Sequence, residues 1–204
     1  PGAQVLCAKN GFVFYNKNFG YHTYDSAEAV TNQSIYDLAS LTKVLVTTPL
    51  LMHLYETKQI QIDKPLSQYL PMQPDKSDLL MIDMLSHQAR FKGWFPFFKI
   101  TLDDSLRYKP GFYSNTDTGR FVIPVAKNLF TTPEMVDSIF HILDTIPLAK
   151  KKEYLYSDMP FYYFMRLIEN ITTTQIDFLA DSLLYKPMGI NKLKYYPTKY
   201  FDLQ

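Results

Sequence analysis

The sequence predicts an α+β fold in which an antiparallel sheet is flanked by helices. Three observations point there. Asn10-Gly11 separates two strand-like runs at the start of the chain. Helix-spaced apolar residues recur through much of the remainder, and a short strand-like run at 192–196 follows the last of them. Strands first, helices next and a returning strand is the order of an antiparallel sheet covered by helices, not of alternating βαβ units.

Taken in order, residues 3–9 and 12–19 flank Asn10-Gly11. Both turn residues tolerate positive φ, so the chain should open with a hairpin. Residues 21–37 are polar and irregular. Residues 40–57 predict a helix with Leu41, Val44, Leu45, Leu51, Leu54 and Tyr55 as its apolar positions. Pro49 cannot donate a backbone hydrogen bond, which predicts a break near Thr47. Residues 60–71 read as an extended stretch and a turn. Residues 77–88 predict an amphipathic helix capped by Ser77 or Asp78, with Leu80, Met81, Met84 and Leu85 on one face. Five prolines between 89 and 155 predict a loop-rich stretch with a short helix near 133–143. Helices resume at 158–170 and 173–186, and 192–196 is a candidate strand.

Composition bounds the function. Of 204 residues, 47% are apolar and 20% charged, enough for a real core. No apolar run reaches membrane-span length. A net charge of +1 gives no nucleic-acid footprint, and Lys150-Lys151-Lys152 reads as a solvated loop. The single cysteine, Cys7, rules out an internal disulfide, and its apolar strand predicts a buried thiol. His22, His53, His87 and His141 lack metal-ligand spacing, so no metal is expected, and His87 reads as structural at a helix end. Asp103-Asp104 reads as a solvated pair. The start at Pro1 resembles an excised module or a processed product.

Ser40-Leu41-Thr42-Lys43 holds the chemistry. Residues i and i+3 share a helix face, so the Lys43 amine can reach the Ser40 hydroxyl. A serine becomes a nucleophile when a base removes its proton, and lysine is a base only when neutral. A helix N-terminus at this point adds positive potential that favours an alkoxide or oxyanion. The tetrapeptide by itself is weak, since a capping serine followed by a surface lysine has the same spelling, and a chain of this length holds about one by chance.

The surroundings add weight. Residues 36–71 resemble the first motif region of the serine β-lactamase and penicillin-binding-protein superfamily, closest to its class C-like, esterase-like branch. Residues 11–25 resemble that family's opening hairpin, and 79–87 its helix ending in Leu-Leu-Thr-His. Residues 156–169 resemble its Tyr-x-Asn motif and following helix. Residues 91–150 match nothing in the pattern. The resemblance implies a β-lactamase/transpeptidase-like fold, Ser40 as acylated nucleophile, Lys43 as its activating base and Tyr156 as second base or proton relay. It also implies that the Ser40 backbone N–H is one oxyanion donor.

The sequence departs from that pattern twice. Asp158 stands where the family has Asn. An ionised Asp only accepts hydrogen bonds, and a carboxylate near Lys43 favours charged lysine. Asp158 either helps hold a substrate amide or amine or caps the following helix. Second, no Lys-Thr-Gly or His-x-Gly motif follows Tyr156, although the family's third motif supplies the other oxyanion N–H. The expectation is therefore one partial domain over 1–204, incomplete at the C-terminus, with a loop-rich insertion at about 91–150 and impaired or no activity.

The aromatic run Trp94-Phe95-Pro96-Phe97-Phe98 is either a packed loop or a platform for a sugar or peptide, with Trp94 as a substrate-binding candidate. The expected function is a cofactor-free serine hydrolase acting on an amide or ester of a peptidoglycan fragment through an acyl-enzyme. The other reading is a non-catalytic penicillin-binding-like module that holds cell-wall fragments or a partner. The chain further resembles the serine hydrolase modules fused to family 3 glycosidases in Bacteroidetes-type bacteria. That implies a small-molecule or muropeptide substrate, an upstream glycosidase and a periplasmic or cell-envelope location.

Overall fold

The structure, a computed structural model, describes residues 2–201. Strands and helices are both present, with antiparallel pairing, as the α+β expectation requires. The described residues form two compact units, 2–39 and Ser40–Phe201.

The first unit is built on the expected hairpin. Strand β1 (Ala3–Lys9) pairs antiparallel with β2 (Phe12–Phe19), with a bulge between Cys7 and Ala8. Asn10 (φ +51°) and Gly11 (φ +80°) both take left-handed backbone, the geometry that matches the twist of a two-residue hairpin. Leu6, Phe12, Val13, Phe14 and Phe19 are exposed. Cys7 is only partly buried, contrary to the sequence expectation, because a two-stranded ribbon does not enclose its side chains.

The second unit holds the main core. A 3₁₀ turn at Ala39–Leu41 leads to a π-helical turn at Lys43–Thr47 and then to α1 (Thr48–Glu56). Pro49 explains the sequence of turns. It has no N–H, and its ring would press on the carbonyl four residues back. The wider turn, in which Thr48 N–H donates to the Lys43 carbonyl, accommodates it. The break near Thr47 is thus present, but the buried face is rotated. Val46, Leu50, Leu51 and Leu54 are buried, whereas Leu41, Val44, Leu45 and Tyr55 are exposed.

The predicted helix at 77–88 is shorter. Helix α2 spans Met81–Leu85, with Met81 and Met84 fully buried. Leu80 is extended and bridges to Pro65, which holds the chain out of helix up to that point. Ser77 and Asp78 therefore do not cap α2. Ser77 Oγ donates to the Pro74 carbonyl, and Asp78 lies 3.7 Å from Arg90.

Beyond α2 come β3 (Ile123–Ala126) and β4 (Leu129–Thr131), an antiparallel pair, and α3 (Pro133–Thr145). Helix α4 (Met159–Thr172) begins with Pro160 in its first turn and buries Met159, Tyr163, Phe164, Leu167 and Ile168, a 3–4 residue spacing. Thr173, in left-handed backbone, ends it. Helix α5 (Ile176–Ala180) starts three residues later than expected and runs into a π-turn at Asp181–Tyr185. The candidate strand at 192–196 is not a strand. The run joins neither sheet, and the backbone bends at Lys192, Tyr195 and Tyr196, the last with a φ of +50°.

Candidate active site

Ser40 lies in the 3₁₀ turn and is exposed; Lys43 opens the π-turn. The Lys43 ammonium donates to Ser40 Oγ at 3.1 Å. Just before the serine, Ala39 has a φ of +43°, left-handed backbone that an L-residue adopts at a cost. The Asp37 carboxylate accepts the Ala39 N–H at 2.8 Å.

The segment before α4 is laid along the chain that leaves α2. Leu155 N–H donates to the His87 carbonyl at 2.9 Å and Ser157 N–H to His87 Nδ1 at 3.2 Å. Ser157 Oγ donates to the Lys92 carbonyl at 2.5 Å, and Asp158 N–H to the Gly93 carbonyl at 3.1 Å. Gly93 suits this close approach, since a Cβ there would sit 3.1 Å from the Tyr156 carbonyl oxygen and the backbone would have to give by a few tenths of an ångström. These bonds bring Tyr156 and Asp158 to Lys43. The lysine ammonium lies 5.3 Å from the centres of both the Tyr156 and Phe161 rings. Tyr156 is 44% exposed.

Asp158 stands 2.5 Å from the Lys43 ammonium through Oδ1, which accepts no well-aligned hydrogen bond. It occupies the N-cap position of α4 without a capping bond, so the capping alternative does not hold. Ser157 does that work, its Oγ accepting the Met159 N–H at 3.2 Å. Burial acts to lower the Lys43 pKa, but Asp158 and Tyr156 together outweigh it, and the net direction is upward. Resting Lys43 is therefore an ammonium.

His87 is the residue that sequence reasoning placed only as structural. Its ring lies 4.5 Å from that of Tyr156 and 5.8 Å from that of Phe161. Burial, and after it the Lys43 charge, push its pKa down. Because Nδ1 accepts a backbone N–H, the ring is the neutral tautomer with the proton on Nε2. The available signal was its position at the end of the helix in residues 79–87.

Trp94 follows Gly93 directly and is 62% exposed, with its ring 6.4 Å from Phe98. Phe95 and Phe97 pack on the core, so the aromatic run is divided between packing and surface. A cavity of about 400 Å³ lies elsewhere in the second unit, against Leu70, Met72, Gln73, Asp144, Tyr163 and Arg166. It includes none of the residues gathered at Ser40, and the geometry of Ser40, Lys43, Tyr156 and Asp158 marks the chemistry better than that concavity does.

The sequence pattern of the β-lactamase family matches residues 1–204. The chain belongs to the β-lactamase family. A Salmonella gallinarum protein named "Putative D-alanyl-D-alanine carboxypeptidase" is 24% identical over 212 residues, covering 97% of this chain and 44% of that protein. Among solved structures, the octameric penicillin-binding protein homologue from Pyrococcus abyssi aligns with a TM-score of 0.67 at 20% identity, over 94% of this chain and 40% of that one. A class C β-lactamase from Rhodobacter sphaeroides aligns with a TM-score of 0.62 at 16% identity, over 94% and 45%. This β-lactamase-family chain thus spans less than half the length of the curated relatives it matches. No helix of its described residues is long and apolar enough to cross a membrane.

Proposed function

We propose that the chain carries the nucleophile side of a serine hydrolase that works through an acyl-enzyme. The observation behind this is the 3.1 Å contact between Lys43 Nζ and an exposed Ser40 Oγ. Neutral Lys43 takes the hydroxyl proton as Ser40 Oγ bonds to the acyl carbon. The amine or alcohol then leaves with a proton, and water hydrolyses the ester. Tyr156, beside Lys43, relays protons to the leaving group and from the water. The Ser40 N–H is one oxyanion donor. The second comes from a third-motif strand for which no Lys-Thr-Gly or His-x-Gly sequence follows Tyr156. Residues 1–204 are read accordingly as a partial domain with an insertion at about 91–150.

The substrate proposed is an amide or ester of a peptidoglycan fragment, with no cofactor. The relatives' carboxypeptidase and penicillin-binding names support it, as does the exposed Trp94 as a stacking surface. An envelope location and fusion to an upstream glycosidase accompany this reading. The Lys43–Asp158 pair favours one alternative, a module that binds cell-wall fragments without turning them over.

The two readings separate on the full-length protein treated with a fluorophosphonate or fluorescent β-lactam. An enzyme labels, and Ser40→Ala abolishes the labelling. Lys43→Ala slows it at least about a hundredfold, in the range expected for a lost general base. Tight non-covalent binding of muropeptides with no covalent label would establish the binding module.

A further inference from the structure

Asp158 is the charged group that this chain places against its own candidate base. Among the described residues, the titratable or charged side chains that face Lys43 come from its own turn, the end of α2, the segment before α4 and α4 itself. Ser40 lies on the same turn at 3.1 Å, and Asp158 approaches to 2.5 Å from the segment before α4. Tyr156 stands on that segment, with His87 after α2 and Tyr162 on α4. Only Asp158 among them is an anion at neutral pH. The lysine side chain is 14% exposed and the aspartate side chain 33%, so the pair is shielded from bulk solvent but reachable from it. An Asn at 158 could approach the same amine without a formal charge, and would leave the burial of Lys43 unopposed by a carboxylate.

We propose that Asp158 is a positioning residue that holds Lys43 as an ammonium, so that Ser40 gains its base only when this ion pair has released a proton. This rests on Ser40 being the nucleophile. The ammonium gives one proton to solvent and becomes the amine. The amine then takes the Ser40 hydroxyl proton as the Ser40 oxygen bonds to the acyl carbon and the carbonyl electron pair moves to its oxygen. That pair returns as the bond to the amine or alcohol breaks, and the leaving group departs with the proton that Lys43 took. Acylation therefore follows an ionisation above the ordinary lysine range, rising with pH through it. Reactivity is restrained at neutral pH, and the restraint lies in one carboxylate. Lowering the Lys43 pKa by one unit raises the neutral fraction about tenfold at any pH well below it.

The test is a direct titration of Lys43 beside the pH profile of Ser40 labelling, both on the full-length protein. Lysines carrying ¹³C-methyl groups are followed by NMR, with Lys43→Arg assigning the resonance, in wild type, Asp158→Asn and Asp158→Glu. The expected result is a lower Lys43 midpoint in Asp158→Asn, with fluorophosphonate labelling shifted to lower pH and about tenfold faster at pH 7. Asp158→Glu, which keeps the charge, should retain the raised midpoint, separating charge from misfolding. An Asn variant whose midpoint is unchanged or higher overturns the proposal. A lowered midpoint in a protein that no probe labels at any pH supports the ion-pair assignment and overturns the serine-nucleophile reading beneath it.

Discussion

Around Lys43, single residues set the electrostatics. Burial and Asp158 act on it in opposite directions, and the carboxylate prevails. His87 is pushed the other way, by burial first and by the Lys43 charge after it. Its folded pKa lies below 6.5, so the folded state binds fewer protons than the unfolded chain in the interval just under that value. His87 therefore contributes stability that is present above about 6.5 and is lost as pH falls through the window down to its folded pKa. The His87 ring resonance should titrate below 6.5, and protonation should break the bond from Ser157 N–H, seen as faster amide exchange at 155–158. A midpoint at or above 6.5 would contradict this. Gly93→Ala tests the same segment sterically. A Cβ 3.1 Å from the Tyr156 carbonyl should cost about 1 kcal/mol in urea unfolding and slow Ser40 labelling. At this scale, Ser40 with Lys43 was legible because an i, i+3 contact is local. The meeting of Lys43 with Asp158, Tyr156 and His87 was not, since it depends on residues 44 to 115 positions away being brought together.

At the scale of elements, local sequence sets what forms and tertiary contacts set where it ends. The hairpin was legible because Asn10-Gly11 encodes its own turn. Helix α4 was legible because its apolar spacing is continuous and Pro160 fits a first turn. Helix α2 was overextended because the Pro65–Leu80 bridge, a tertiary contact, overrides local propensity. Leu51 and Leu54 of α1 are buried as expected, but ahead of α1 the wider turn that accommodates Pro49 changes the phase, and Leu41, Val44 and Leu45 are exposed. Helix α4 should be the element the second unit can least lose. Phe164 is fully buried, and Phe164→Ala should cost about 3–5 kcal/mol, measured by urea unfolding. A loss under 1 kcal/mol would show that α4 is not packed as described. Lys76 is a second anchor. Almost wholly buried, it donates to the Asp144 carbonyl at 2.9 Å and to Asp75 at 3.0 Å. Lys76→Ala should lose about 2–3 kcal/mol, because it leaves a carbonyl without its donor and a void where the stem lay.

The whole chain matches the β-lactamase family while spanning only part of its relatives, 44% of the carboxypeptidase-named protein and 45% of the class C enzyme. Its hairpin presents Phe12 and Phe14 to solvent on one face, with Leu6 and Val13 also exposed. Exposed apolar strands with open edges pair with other chains. Residues 1–204 alone should therefore self-associate in sedimentation runs, and a Phe12→Lys, Phe14→Thr double variant should shift the population to monomer. A monomer at about 100 µM without those changes would contradict the prediction. The central claim concerns Ser40, and it is tested most directly by peptide mapping after the full-length protein reacts with a fluorophosphonate between pH 7 and 10. The account predicts one adduct, on Ser40, formed faster as pH rises and absent in Ser40→Ala. No adduct at any pH, or an adduct that persists on another residue in Ser40→Ala, would contradict it.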